Sequence, residues 1–261
     1  PVSGNPYRIE IEDGTRNDAG SYFAHIQQLS AAPACDFAPI TCDVPLTATI
    51  DPGADSDLLG FRVVEGEIVR VSLVENVGSG PGFAPSWRLL DGQGEPAVSC
   101  GGFSLSVSVN CGSLPSAGNP YRIEVEDSGR LDVGTYNAHI QRLTAARACD
   151  DVELRCGVTQ IGTIDHIADS DLYSFRVSEG QEVRVSVFER LPSGPNFNPN
   201  WRLLDGAGNP ALECGAFTTV TSQDCGPLPA SRNPYRIEVE DGARNDTGTY
   251  DATVSVLPSC P

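Results

Sequence analysis

The residues of this 261-residue chain with the clearest chemistry are its nine cysteines: Cys35, Cys42, Cys100, Cys111, Cys149, Cys156, Cys214, Cys225 and Cys260. They show no C-x-x-C pair and no metal-like clustering, so their orderly spacing points to disulfides formed in an oxidising compartment. The first four recur as the next four at a constant offset of 114 residues. Four cysteines in a unit allow three connectivities. The expected set is local: Cys35–Cys42 with Cys100–Cys111, and Cys149–Cys156 with Cys214–Cys225. Partners are then close in sequence, and Cys100 and Cys111 flank a predicted hairpin. Bridges between the two local pairs are the alternative. Short loops of this kind gain roughly 2–3 kcal/mol each in the chain-entropy account. Cys260 is left over. It lies within three residues of where a further unit's first cysteine would fall, and its partner is expected beyond the chain, in a following unit or another subunit.

Carboxylates supply the second chemistry. Asp51, Asp55 and Asp57 recur as Asp165, Asp169 and Asp171, and closely spaced oxygen ligands in a loop suit calcium, a hard cation. EF-hand spacing is absent, however, and aspartate also favours turns, so a solvated start to a strand competes with the metal reading. No other cofactor is required. His25 and His139 share one position in the repeat, which Thr253 fills in the third copy, and His166 corresponds to Pro52. None has the fixed nucleophile and carboxylate that a hydrolytic triad needs. The histidines are therefore read as incidental, and the chain as not an enzyme. Trp87 and Trp201 could offer a sugar-stacking face, but each opens an apolar Trp-Arg-Leu-Leu run, which reads as core. Asn245-Asp-Thr is a single glycosylation sequon; Asn17 lacks the hydroxyl residue.

The elements that position these groups follow from an internal repeat. Asn-Pro-Tyr-Arg-Ile-Glu begins at Asn5, Asn119 and Asn233, and Trp87-Arg-Leu-Leu-Asp-Gly recurs at Trp201 in the same register. A period this constant marks tandem units. Two full units span 35–143 and 149–257, joined by a short Ala/Arg stretch near Thr144. Within a unit the apolar period is two, as in half-buried strands: Tyr121, Ile123 and Val125 face one side and charges the other. Val69, Val71 and Leu73 alternate in the same way, as do Tyr136, Ala138 and Ile140. Asp-Gly and Asn-Pro clusters punctuate the runs. The predicted class is all-β: tandem β-sandwich or jelly-roll domains with a 114-residue repeat, stapled by disulfides.

Each unit resembles the bacterial pre-peptidase C-terminal domain, a β-sandwich appended to secreted proteases and other exported proteins. The resemblance rests on Asp169-Ser-Asp-Leu-Tyr-Ser-Phe-Arg-Val, Glu179-Gly-Gln-Glu-Val-Arg-Val-Ser-Val, Trp201-Arg-Leu-Leu-Asp-Gly-Ala-Gly-Asn, and Tyr235-Arg-Ile-Glu-Val-Glu-Asp with Gly248-Thr-Tyr. Their counterparts run from Asp55 to Tyr136, and residues 5–28 match the final hairpin alone. The four cysteines per unit depart from the family's pattern. The resemblance implies an accessory, binding or structural module and no catalysis; fold does not fix function.

A net charge of −18 argues against nucleic acid as a partner. No apolar run approaches the roughly 18 residues of a membrane-spanning helix. All 17 basic residues are arginine, and the chain starts without methionine or an apolar leader, as expected of a mature or excised segment. Counting the parts gives two sandwich bodies but three terminal hairpins, so residues 1–30 are expected to be the hairpin of a preceding or swapped repeat, and 258–261 the start of the next linker. A lone hairpin is marginal in water and its edges invite pairing. The expected function is that of an extracellular or cell-surface structural protein, a subunit or segment of a bacterial fibre whose partners are copies of itself, joined head to tail. The alternative is an accessory module that attaches a secreted hydrolase to polysaccharide or matrix protein.

Overall fold

The computed structural model describes residues 8–12, 14–15, 19–22, 24–29, 37–76, 78–97, 99–105, 107–144, 149, 151–211 and 214–258. Sixteen strands form two sandwich-like halves. The first contains β1 (Phe37–Pro39), β2 (Leu46–Ile50), β3 (Ser56–Phe61), β4 (Glu67–Glu75), β5 (Pro85–Leu90), β6 (Ser108–Leu114), β7 (Tyr121–Asp127) and β8 (Gly134–Arg142). The second contains β9 (Asp151–Glu153), β10 (Gln160–Ile164), β11 (Asp171–Phe175), β12 (Gln181–Arg190), β13 (Pro199–Leu204), β14 (Ser222–Leu228), β15 (Tyr235–Asp241) and β16 (Gly248–Leu257). Each half pairs two four-stranded sheets of matching order, β1-β3-β7-β5 over β2-β8-β4-β6, and β9-β11-β15-β13 over β10-β16-β12-β14. All pairings are antiparallel except β1 on β3 and β9 on β11.

The period-two pattern explains the cores. Val69, Val71 and Leu73 on β4 meet Tyr121, Ile123 and Val125 on β7, with Trp87 and Leu89 of β5 between them. Val183, Val185, Tyr235, Ile237, Val239, Trp201 and Leu203 do the same in the second half. Both tryptophans are buried, as the apolar strands they open require; the Trp201 indole N–H donates to the Val220 carbonyl at 2.7 Å. Gly134 and Gly248 open β8 and β16 because a Cβ there would lie 2.3–2.4 Å from the rings of Phe83 and Phe197.

Three sequence expectations change. Cys100–Cys111 and Cys214–Cys225 are bridged as expected, but Cys42 is joined to Cys149, 107 residues away. The local pairs Cys35–Cys42 and Cys149–Cys156 are thereby replaced by a bridge between units. The chain returns at the end of the first sandwich to the loop that begins it, so residues distant in sequence become neighbours. Cys156 is also disulfide-bonded, to a cysteine outside the described residues; Cys35 and Cys260 both lie there. Second, the charged side of β7 and β15 is not solvated: every residue of both strands is buried. Third, no strand occurs among the described residues of 8–29, where a hairpin is expected. Ile9, Ile11, Tyr22 and Ile26 are exposed, whereas their counterparts Ile123, Val125, Tyr136 and Ile140 are core.

Candidate functional site

The outer face of β4 and β8 carries Arg70, Ser72, Asn137, His139 and Gln141, residues that strand alternation turns away from the core. In a single sandwich they would meet water. Here all five are buried, covered by the β11–β15–β13 face of the second sandwich. The junction is ionic at its centre. Arg70 donates from Nη1 to Glu238 and from Nη2 to Glu240, at 2.5 and 2.6 Å. Arg202 donates to the other oxygen of Glu238 at 2.6 Å, and Arg244 pairs with Glu240. The guanidinium groups of Arg70 and Arg202 lie over Phe217, 4.9 and 4.4 Å from its centroid. Arg244 also donates to Ser72 Oγ at 3.1 Å; burial lowers its pKa, and Glu240 acts in the opposite direction. Leu143, Leu172 and Leu204 form a small apolar cluster with Ile68 beside this network.

Buried ion pairs contribute little net stability once desolvation is counted, yet leaving one partner unpaired is costly. Such a network therefore fixes which faces meet and in what register. Gln141 strengthens the match: its amide nitrogen donates to the Ser170 carbonyl, and Ser170 Oγ returns a hydrogen bond at 2.7 Å to its Oε1. Arg236 reaches the Leu143 carbonyl at 3.0 Å.

The same contacts occur once more, 114 residues earlier. Gln27 exchanges the same two bonds with Ser56, Arg122 reaches the Leu29 carbonyl at 3.0 Å, and His25 lies 3.4 Å from Asp55 where His139 faces Asp169. Residues 24–29 thus sit on the first sandwich as the end of β8 and Leu143 sit on the second.

The predicted calcium residues are divided among separate tasks. Asp57 and Asp171 accept the hydroxyl protons of Tyr136 and Tyr250, and burial raises both tyrosine pKa values. Asp55 faces His25. Asp51 is exposed. The Asp165 amide donates to Asp169 Oδ2 at 3.4 Å, while Asp169 Oδ1 points to His139. Burial pushes the Asp169 carboxyl up to about 6, against the pull of His139. Sequence reasoning missed Asp43 and His139 as partners of Asp169. The register aligned His25 with His139 and Asp55 with Asp169, which is the only signal that could have paired them.

Among the described residues every cysteine is in a disulfide, and no helix is long and apolar enough to cross a membrane. No family model matches the chain, and no curated protein does. Solved structures do. The pre-peptidase C-terminal domain of a collagenase from Bacillus anthracis is 17% identical, covering 40% of this chain and 94% of its own, with a TM-score of 0.32. A tandem CBM22 pair from Paenibacillus barcinonensis is 13% identical over 77% of this chain and 82% of its own, with a TM-score of 0.29. The CUB1-EGF-CUB2 domains of rat MASP-1 are 11% identical over 83% and 99%, with a TM-score of 0.24. The chain is thus similar to a domain of the kind its motifs resemble, and to other β-sandwich modules.

Proposed function

We propose that this chain is a structural segment of an extracellular fibre, in which copies of its repeat stack head to tail through the junction that joins its two sandwiches. One observation carries the reading: the two ends carry the counterparts of the two halves of that junction. On the outer face of β12, Arg184 and Ser186 stand where Arg70 and Ser72 stand, and Arg184 is half-exposed, paired only with Asp224 across the sheet. On the first sandwich Glu124, Glu126, Arg88 and Arg130 stand where Glu238, Glu240, Arg202 and Arg244 stand. Arg88 covers one face of Phe103 at 4.5 Å, and that ring is partly exposed.

The exposed Ile9, Ile11, Tyr22 and Ile26 support the same stack. Residues 24–29 occupy on the first sandwich the seat that the end of β8 and Leu143 occupy on the second, and the four apolar side chains lack the cover their counterparts have. Each contact is heterologous, so repeating it gives an open line when the rotation from copy to copy does not close. Disulfides within and between units suit an oxidising, extracellular setting.

Negative-stain images of the purified native material at neutral pH are expected to show continuous strings of beads. Isolated two-bead particles at every concentration overturn the proposal. Deleting residues 1–30 uncovers the acceptor face of the first sandwich, so the truncated chain is expected to associate head to tail in sedimentation velocity. Arg184→Glu should abolish that association, since it sets a carboxylate against Glu124 and Glu126.

A further inference from the structure

We infer that the junction holds one divalent metal ion of the zinc class, ligated by His139, Asp43 and Asp169. The site lies within one chain and does not rest on the fibre reading. His139 projects from β8 into the junction and is 1% exposed. Neither ring nitrogen has a hydrogen-bond partner, although buried imidazole nitrogens are normally satisfied. Two carboxylate oxygens converge on it instead: Asp43 Oδ1 at 3.7 Å and Asp169 Oδ1 at 3.8 Å from Nε2. Those separations are too long for hydrogen bonds and correct for ligands that share a cation.

One ligand atom from each residue lies within 4.8 Å of the others. Ligand atoms of a tetrahedral ion with bonds of about 2.0–2.2 Å stand roughly 3.3–3.6 Å apart, so the two carboxylates need only close on Nε2 from 3.7 and 3.8 Å and on each other from within 4.8 Å. The charges also close. Two carboxylates, a neutral imidazole and a dication sum to zero, which a buried site favours over an uncompensated anion. An imidazole nitrogen with two carboxylates selects zinc or a similar transition metal over calcium or magnesium, which take all-oxygen shells of six or more. Three protein ligands leave a tetrahedral ion one position for solvent.

The groups around the site are consistent with this use. The Asp165 amide engages Asp169 Oδ2, which leaves Oδ1 for the ion. His166, whose Nδ1 accepts from the Ala168 amide at 3.3 Å, lies outside the set of converging ligand atoms. Asp43 is held against β8 by its own amide, which donates to the Ile140 carbonyl at 3.1 Å.

The second sandwich supplies its own control. At the positions of Asp43 and His139 it carries Gly157 and Thr253, in the same loop and strand. Asp43 has φ 62° and Gly157 φ 71°, so glycine suits this left-handed position at least as well. The variant Asp43→Gly/His139→Thr thus installs residues that this fold already accepts there.

The full oxidised chain, stripped of metal by chelator, is titrated with Zn²⁺ against a chromophoric competitor and with Co²⁺ followed by visible absorption. Wild type is expected to take one Zn²⁺ more than the double variant and to give the intense visible band of four-coordinate cobalt. The double variant and Asp169→Asn should each lose affinity by at least about 100-fold, with unchanged circular dichroism. Equal zinc uptake by wild type and double variant, or no uptake by wild type, overturns the inference; so does uptake of Ca²⁺ in place of Zn²⁺.

Discussion

Asp127 ends β7 fully buried, and its carboxylate organises the next turn by accepting from the amides of Ala84, Leu131 and Asp132 at 3.0, 3.1 and 3.2 Å. Asp241 repeats the arrangement with Asn198, Asn245 and Asp246. Burial by itself would raise the Asp127 pKa; the converging amides outweigh it and hold the carboxyl below its usual value. A depressed carboxyl stabilises the fold above its unfolded pKa of about 4 and loses that contribution as pH falls through the lower folded value. Asp127→Ala should therefore cost about 2 kcal/mol or more at neutral pH, since buried amides lose their acceptor. In urea unfolding, the gap between wild type and Asp127→Asn should narrow below about pH 4. A gap that stays constant down to pH 2 would contradict this role. In the sequence Asp241 closes the Tyr-Arg-Ile-Glu-Val-Glu-Asp motif, and Asp127 is its counterpart 114 residues earlier. Nothing local distinguishes a carboxylate facing water from one facing three amides.

At the scale of strands, alternation was a sound guide to the inner faces and a poor one to the outer. Tyr121, Ile123 and Val125 read as core and are core. Arg122, Glu124 and Glu126 read as the opposite, charged side, and they too are buried. The pattern separates the two faces of a strand; what covers the second face depends on a neighbouring unit that no local window contains. His139, polar at an outward position of β8, is covered in the same way. The contrast between Arg70 and Arg184 tests the covered face against the open one. Arg70→Ala leaves Glu238 and Glu240 in the junction with one arginine each, Arg202 and Arg244, and should destabilise the chain by about 2–3 kcal/mol through the two lost charged hydrogen bonds. Arg184→Ala removes the same side chain from the same register on an exposed surface and should leave chemical unfolding unchanged. Equal effects would mean that the junction does not form in solution.

For the whole molecule, the bridge between Cys42 and Cys149 changes what the repeat implies. The sequence reading paired neighbours, because an 11-residue loop such as that between Cys100 and Cys111 is easy to close. Topology decided otherwise: the second cysteine of the first unit, Cys42, is tied to the first cysteine of the second, Cys149. By the same register Cys156 belongs with a cysteine near position 263, and Cys260 is the nearest. Extending that register predicts a Cys156–Cys260 bridge and a Cys35 that stays free to pair with a second cysteine of another copy. A loop of 107 residues constrains the unfolded chain more than one of 11, about 4.8 against 2.8 kcal/mol in the loop-entropy account. Cys42→Ser/Cys149→Ser should accordingly destabilise the chain by about 2 kcal/mol more than Cys100→Ser/Cys111→Ser. Peptide mapping without reduction tests the connectivity directly. The isolated chain should yield Cys156 linked to Cys260 and an alkylatable Cys35, while native fibres should yield Cys35 linked to a peptide bearing a Cys42 counterpart. A Cys35–Cys156 peptide from the isolated chain would break the register, and with it the expectation that successive units are covalently linked along the fibre.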